Sequence, residues 1–147
     1  MQTRFVALEI PPALLADLET YAKGAYPEEC CGMLVGVPGD ADSRLAAKVT
    51  AVWPAENTDP GDRSKGYVIS PEDLLQAYKR VRSRGDAVIG YYHSHPGESA
   101  APSGRDLVEA VPGVSYLIVA VADKKVLECR SWRLCPDHSC FDEEQII

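Results

Sequence analysis

Histidine is scarce in this chain, with only three residues, and tryptophan, phenylalanine and methionine each occur only twice. Positive charge is also short: 15 lysines and arginines face 22 acids, for a net charge of -7. That balance disfavours a nucleic-acid partner, which calls for a basic face to neutralise phosphates. Lys79, Arg80, Arg82 and Arg84 do cluster, and read as the solvated face of a helix. Long hydrophobic runs are missing. Tyr116 to Ala122 is of strand length, far below the ~20 residues of a membrane span, so no membrane association is expected. Met1-Gln2-Thr3-Arg4-Phe5 has neither an apolar signal core nor a small-residue cleavage site, which sets the expectation of a cytoplasmic protein. Five cysteines make an odd number, and without export a disulfide framework is not expected. No internal repeat or linker breaks the 147 residues, so a single domain over residues 1–147 with a sizeable core is expected.

What is present is a regular alternation of strand and helix signals. Arg4 to Ile10 reads as a strand, and Pro11-Pro12 opens a helix to about Ala25 with Leu14, Leu15, Leu18 and Tyr21 on one side. Cys31 to Val37 is a short apolar run that predicts a buried strand, and Leu45 to Trp53 predicts another, ended by Pro54. Glu56 to Lys65 reads as a loop, and Tyr67 to Ile69 as a short strand. Ser70-Pro71-Glu72-Asp73 combines an N-cap, a proline at the first helical position and two acids, predicting a helix that turns Leu74, Leu75, Tyr78 and Val81 inward and stops near Gly85. Ala87 to Tyr92 is a strand leading into His93, and Ser103 to Val111 a short helix. Ser115 to Ala122 and Lys125 to Trp132 form a hairpin, and the acidic tail either adds a strand or frays. Such alternation gives an α/β (α+β) domain around a central mixed sheet.

Two of the three histidines fall in His93-Ser94-His95. On a strand the period of two points both imidazoles to one face, roughly 6–7 Å apart at Cα. Downstream, Ser103 and Asp106 stand three residues apart. This matches a plain helix capping box, and it also supplies a third ligand of the N, N, O kind used by catalytic zinc sites that keep one position open. The loop between is filled by Gly, Ser, Ala and Pro, with few bulky side chains. A hydrolytic centre also needs a general base, and Glu28 and Glu29 precede the buried strand at Cys31; spacing alone does not separate them.

Glu29-x-x-Gly32 before an apolar strand, then His93-Ser94-His95, seven residues and Ser103-x-x-Asp106, resembles the JAMM (MPN+) zinc metallopeptidases, the small prokaryotic branch in particular. Asn57, Tyr67 ahead of Ser70-Pro71-Glu72, and Gly90 extend the likeness over most of the chain. The resemblance implies a cytidine-deaminase-like JAMM/MPN fold, a curved mixed sheet flanked by helices. It implies one Zn2+ per chain on His93, His95 and Asp106, and Glu29 in place of Glu28 as the general acid/base. Ser103 would donate a hydrogen bond to the oxyanion, while Ser94 and Pro96 shape the strand end. The implied substrate is a peptide or isopeptide bond after the Gly-Gly tail of a ubiquitin-like protein. Without long insertions to grip ubiquitin, a small sulfur-carrier protein or related modifier is the expected partner. A zinc hydrolase of small peptides or amides, and a non-catalytic interaction module with a structural zinc, are the alternatives. The sequence leaves a homodimer open.

Some residues stay outside this scheme. Cys135, His138 and Cys140 form a C-x2-H-x-C run that offers a second metal site as an alternative, but the spacing is not a strong zinc-finger one and the cysteines read first as buried apolar residues, so the sequence leaves open whether they bind anything. Cys31 reads as a core residue, not a thiol nucleophile, and Glu98 as a solvent-exposed acid.

Overall fold

The computed structural model describes residues 7–40, 42–97 and 99–147. Residues 4–6 of the first expected strand, and Glu98, lie outside the described residues. In chain order the elements are β1 (Ala7–Glu9), α1 (Pro12–Ala25), β2 (Cys31–Val37), β3 (Ala47–Ala55), α2 (Pro71–Arg84), β4 (Ala87–Pro96), α3 (Gly104–Glu109), β5 (Ser115–Ala122), β6 (Lys125–Leu134) and β7 (Phe141–Ile146). The expected mixed sheet is there, and its curvature runs to closure: the strand order is β1-β3-β2-β4-β5-β6-β7, with β7 returning to β1. β4 and β5 are parallel and lie in the middle, so both are covered on each side by neighbours, and their residues form a nearly continuous apolar run. The acidic tail takes the first of its two expected courses, because β7 pairs with both β6 and β1.

Inside the sheet Leu8, Leu34, Leu117, Val119 and Val121 are fully buried, with Leu18 and Ala22 of α1 packed among them. Each large side chain of this kind contributes about 1.5–3 kcal/mol. Leu14, Leu15 and Tyr21 flank that contact, as the helical spacing anticipates.

Four local expectations need correction. First, Pro54 does not end β3, which runs on to Ala55. Among the described residues β1 pairs only with Ala47 and Lys48 of β3, so none of them asks for an N–H on the outer side of Pro54, where a proline is tolerated. Second, Tyr67 to Ile69 makes no strand; instead the side chain of Asn57 stands in for a partner strand, its Oδ1 accepting from Val68 N at 3.2 Å. Third, α2 begins and ends as its caps dictate, with Ser70 Oγ accepting from Asp73 N and Gly85 at φ 75°, but its buried row is Ala77 and Val81. Leu75 and Tyr78 are 54% and 45% exposed, and the Tyr78 hydroxyl meets that of Tyr91 at 2.8 Å. Periodicity alone gave a wider apolar stripe than the contact of α2 with β4 covers. Fourth, α3 stops at Glu109, two residues early, because the Tyr116 hydroxyl accepts the Val111 N–H at 2.8 Å and draws the backbone out of the helix.

No helix among the described residues is long and apolar enough to cross a membrane.

Candidate active site

The two histidines sit where β4 runs between β2 and β5. His93 stands opposite Cys31 on one side and Ile118 on the other, and His95 opposite Ala120. Both are buried, and the alternation of the strand brings their rings together, Nε2 to Nε2 at 3.0 Å. The intervening Ser94 points the other way. Its Oγ accepts the Cys30 N–H at 2.8 Å and its own N–H donates to Cys30 O at 3.1 Å, tying the histidine strand to the segment that bears Glu29.

Asp106 arrives from α3. Ser103 is the N-cap: its Oγ accepts from Asp106 N at 3.1 Å, and Asp106 Oδ2 accepts from Ser103 N at 2.8 Å. That same Oδ2 lies 3.3 Å from His93 Nε2 and 3.1 Å from His95 Nε2. The capping box and the carboxylate–histidine cluster, rival readings of the spacing, are thus one arrangement.

Glu29, 6% exposed, has a carboxylate oxygen within 4.8 Å of both histidine nitrogens, whereas Glu28 is exposed to solvent. The backbone of Glu29 is held on both sides: its N–H donates to Arg63 O at 2.7 Å and its carbonyl accepts from Asn57 Nδ2 at 3.0 Å. The structure therefore brings Glu29, His93, His95 and Asp106 together, with Ser103 at their rim through Asp106.

Protonation follows from these surroundings. Burial pushes the His93 imidazole below its ordinary value, favouring the neutral form. Burial would lower His95 as well, but its bonds to Asp106 and to the Ser99 carbonyl outweigh it and raise the group. Burial would raise Asp106; the two histidines and the Ser103 N–H overcome this and hold it well below the usual carboxylate range. A carbonyl can only accept, so the 3.0 Å contact between His95 Nδ1 and Ser99 O assigns the proton to Nδ1 and leaves a lone pair on Nε2 of the neutral ring. Once the ring gives up the proton it shares with Asp106, Nε2 and Oδ2 face each other as two acceptors, and His93 Nε2 completes a triangle about 3 Å on a side. Such a set fits a divalent transition-metal cation with N, N, O ligands.

Thiol chemistry does not compete here. Burial pushes Cys31 up to about 12 and raises Cys30, so neither supplies a thiolate.

Several supporting residues escaped the sequence reading. Tyr67 stacks on His93 with ring centroids 4.6 Å apart, and it also lines an apolar cavity of about 330 Å³ with Val68, Ile69, Leu74, Tyr91 and Tyr116. Arg105, beside Asp106, binds Asp59 at 2.7 Å and reaches Tyr67 O at 3.4 Å, clamping α3 to the loop that carries Tyr67. Ala100 is fixed by Glu128 through its N–H at 2.7 Å and by Trp132 Nε1 through its carbonyl at 2.8 Å, which steadies the loop that supplies Ser99 O. Only Tyr67 carried a sequence signal, as part of a family likeness; the other contacts join segments too far apart for any spacing rule.

A family model described as prokaryotic homologues of the JAB domain matches residues 11–135. Among curated relatives, the desampylase of Haloferax volcanii is 35% identical over 114 residues, 77% of each chain. A probable TtuB-protein conjugate cleaving protease of Thermus thermophilus is 31% identical over 113 residues, 77% of this chain and 70% of that one. The CysO-cysteine peptidase of Mycobacterium tuberculosis is 27% identical over 130 residues, 86% and 82% of the two chains. A solution structure of a Desulfitobacterium hafniense protein superposes with a TM-score of 0.79 at 30% identity, covering 95% of this chain and 91% of the other. A JAB1/MPN domain protein of Archaeoglobus fulgidus shares the fold, with a TM-score of 0.56 at 19% identity and coverage of 96% and 98%. A match over that length, joined to a fold in common, makes this chain a member of the prokaryotic JAB (JAMM/MPN) family and a hydrolytic enzyme.

Proposed function

We propose that this hydrolase is a zinc-dependent peptidase or isopeptidase that cuts the bond following the C-terminal Gly-Gly tail of a ubiquitin-like or sulfur-carrier protein. One observation carries the proposal: three ligand atoms, on His93, His95 and Asp106, converge within 3.0–3.3 Å, with a buried glutamate beside them. These three side chains would hold one zinc per chain. A zinc there supplies Lewis acidity for the scissile carbonyl and makes water a better nucleophile near neutral pH. Glu29 takes the proton from the attacking water and delivers it to the leaving amine. Ser103 uses a lone pair of its hydroxyl to cap α3, so its O–H is left to donate to the oxyanion. The clamp between Arg105 and Asp59 sets the position of Asp106, and Tyr67 fixes the plane of His93.

The substrate class is supported by the relatives, two of which are named for cutting TtuB-protein conjugates and a CysO-cysteine bond. The apolar cavity behind Tyr67 fits side chains upstream of the two glycines, and the glycines suit the narrower approach to the histidines. A net charge of -7 continues to speak against nucleic acid.

The test pairs zinc analysis with cleavage of a small Gly-Gly-ending protein fused through its C-terminus to a reporter amine. The Glu29→Gln variant is expected to keep its zinc and to lose about 10²–10⁴-fold in kcat. Undiminished cleavage in that variant would overturn the mechanism, and wild-type protein that takes up no zinc would overturn the site.

A further inference from the structure

A second group of metal-ligating side chains lies apart from the histidines. The strand pairing places it at the other end of the sheet: β6 runs antiparallel to β5, with Glu128 level with Ala120 beside His95, and Cys135 follows the far end of β6. Residues 135–140 form the turn into β7, with a cysteine at each end. Cys135 N–H donates to Cys140 O at 2.8 Å, closing the turn, and the Cys140 N–H donates back to Cys135 Sγ at 3.0 Å. Cys135 is 5% exposed, while Cys140 faces solvent. Between them, Asp137 folds its carboxylate inward. Its Oδ1 accepts from Cys135 Sγ at 2.9 Å, and from Ser139 N at 3.1 Å and Ser139 Oγ at 2.6 Å. His138 takes the tip of the turn at φ 63°.

We infer that Cys135, Cys140 and Asp137 form a second, thiolate-rich site for a soft divalent cation of the zinc type. Ligand atoms of the three already lie within 4.8 Å of one another. The backbone N–H aimed at Cys135 Sγ is the kind of donor that stabilises a metal-bound thiolate. All three hydrogen bonds to Asp137 end on Oδ1, which leaves Oδ2 for the cation. Binding releases both thiol protons to water, changes no oxidation state, and leaves a fourth position for water. The cation would pin the turn between β6 and β7, and β7 is the strand that closes the sheet onto β1. The site owes nothing to the proposed peptidase centre, and the family match ends at its first ligand.

Cadmium titration of the fully reduced protein tests this, read by equilibrium dialysis and by the ultraviolet thiolate-to-cadmium band. Wild-type protein is expected to bind one cadmium more than Cys140→Ser, with the thiolate band present in the first and absent in the second. His95→Ala should retain that band, which separates this site from the histidine cluster. Asp137→Asn should weaken the band-forming event about tenfold or more. Cys140→Ser should cleave substrate at the wild-type rate. Equal stoichiometry in wild type and Cys140→Ser, or a band that survives the substitution, would overturn the inference.

Discussion

The two clusters of ligating side chains are built in opposite ways. The histidine cluster draws on three segments, the stretch that bears Glu29, strand β4 and the start of α3, and its two histidines and Glu29 are buried. The turn at residues 135–140 draws on one short segment and sits largely in solvent. Such convergence demands that each segment be held by something else: the histidine strand through Ser94 and Cys30, Asp106 by its own helix start, the backbone of Glu29 by Asn57 and Arg63. The local turn holds itself through Asp137 and Ser139. Preorganisation of the first kind suits catalysis, where ligands must keep their geometry while substrate comes and goes. The second suits a cation that stays.

The contrast can be broken most sharply at its centre. In His95→Ala the triangle of acceptors is gone, so zinc retention by the histidine cluster and peptidase cleavage should both fall below detection in metal analysis and in the fusion-protein assay. A variant that still cleaves would show that the buried cluster is not the reactive one. The next effect is smaller and acts at one remove. Arg105→Ala frees α3 from Asp59 and from the Tyr67 carbonyl, so zinc affinity at the histidine cluster should drop about 10–100-fold, measured by competition with a chelator. Arg105→Lys should restore part of it, because the charge returns without the fork. Unaltered zinc affinity in Arg105→Ala would mean that Asp106 is positioned by its capping box alone.

The smallest effect concerns pH at the turn. Hydrogen bonds from Cys135 and Ser139 lower Asp137 from its ordinary 3.8 to about 2. A depressed carboxyl adds stability that is present above 3.8 and lost as the pH falls through about 2. Asp137→Asn should therefore lower the neutral Tm of the metal-free protein slightly, with the difference from wild type fading as the pH falls from 3.8 through about 2, so that the acid limb of the variant is flatter. An identical acid limb in both proteins would show that the turn is not organised through this carboxylate.

Much of this was legible in the residues. The caps of α2, the apolar run of β2 and the hairpin of β5 and β6 appear where local chemistry sets them. His93, His95, Ser103 and Asp106 were legible because strand and helix periods fix their relative directions over short distances. Glu29 was separable from Glu28 only by resemblance, and the structure explains why: bonds from segments far along the chain, at Asn57 and Arg63, turn one acid inward. Tertiary packing likewise decided that Leu75 and Tyr78 face out and that β3 continues through Pro54. The Asp59–Arg105 pair left no trace in sequence, since neither residue sits in a pattern that points to the other.

The shared oxygen of Asp106 bears on how related chains should be judged. Because Oδ2 also receives the Ser103 N–H, this aspartate has a reason to persist in a protein that has given up the chemistry. An intact Ser-x-x-Asp is thus weak testimony that a relative is active. The histidines cap no helix, and their Nε2 atoms converge on each other and on Asp106, so their survival speaks for a working site more than for a helix start. Sorting working members of such a group from retired ones should give His93 and His95 the heavier vote.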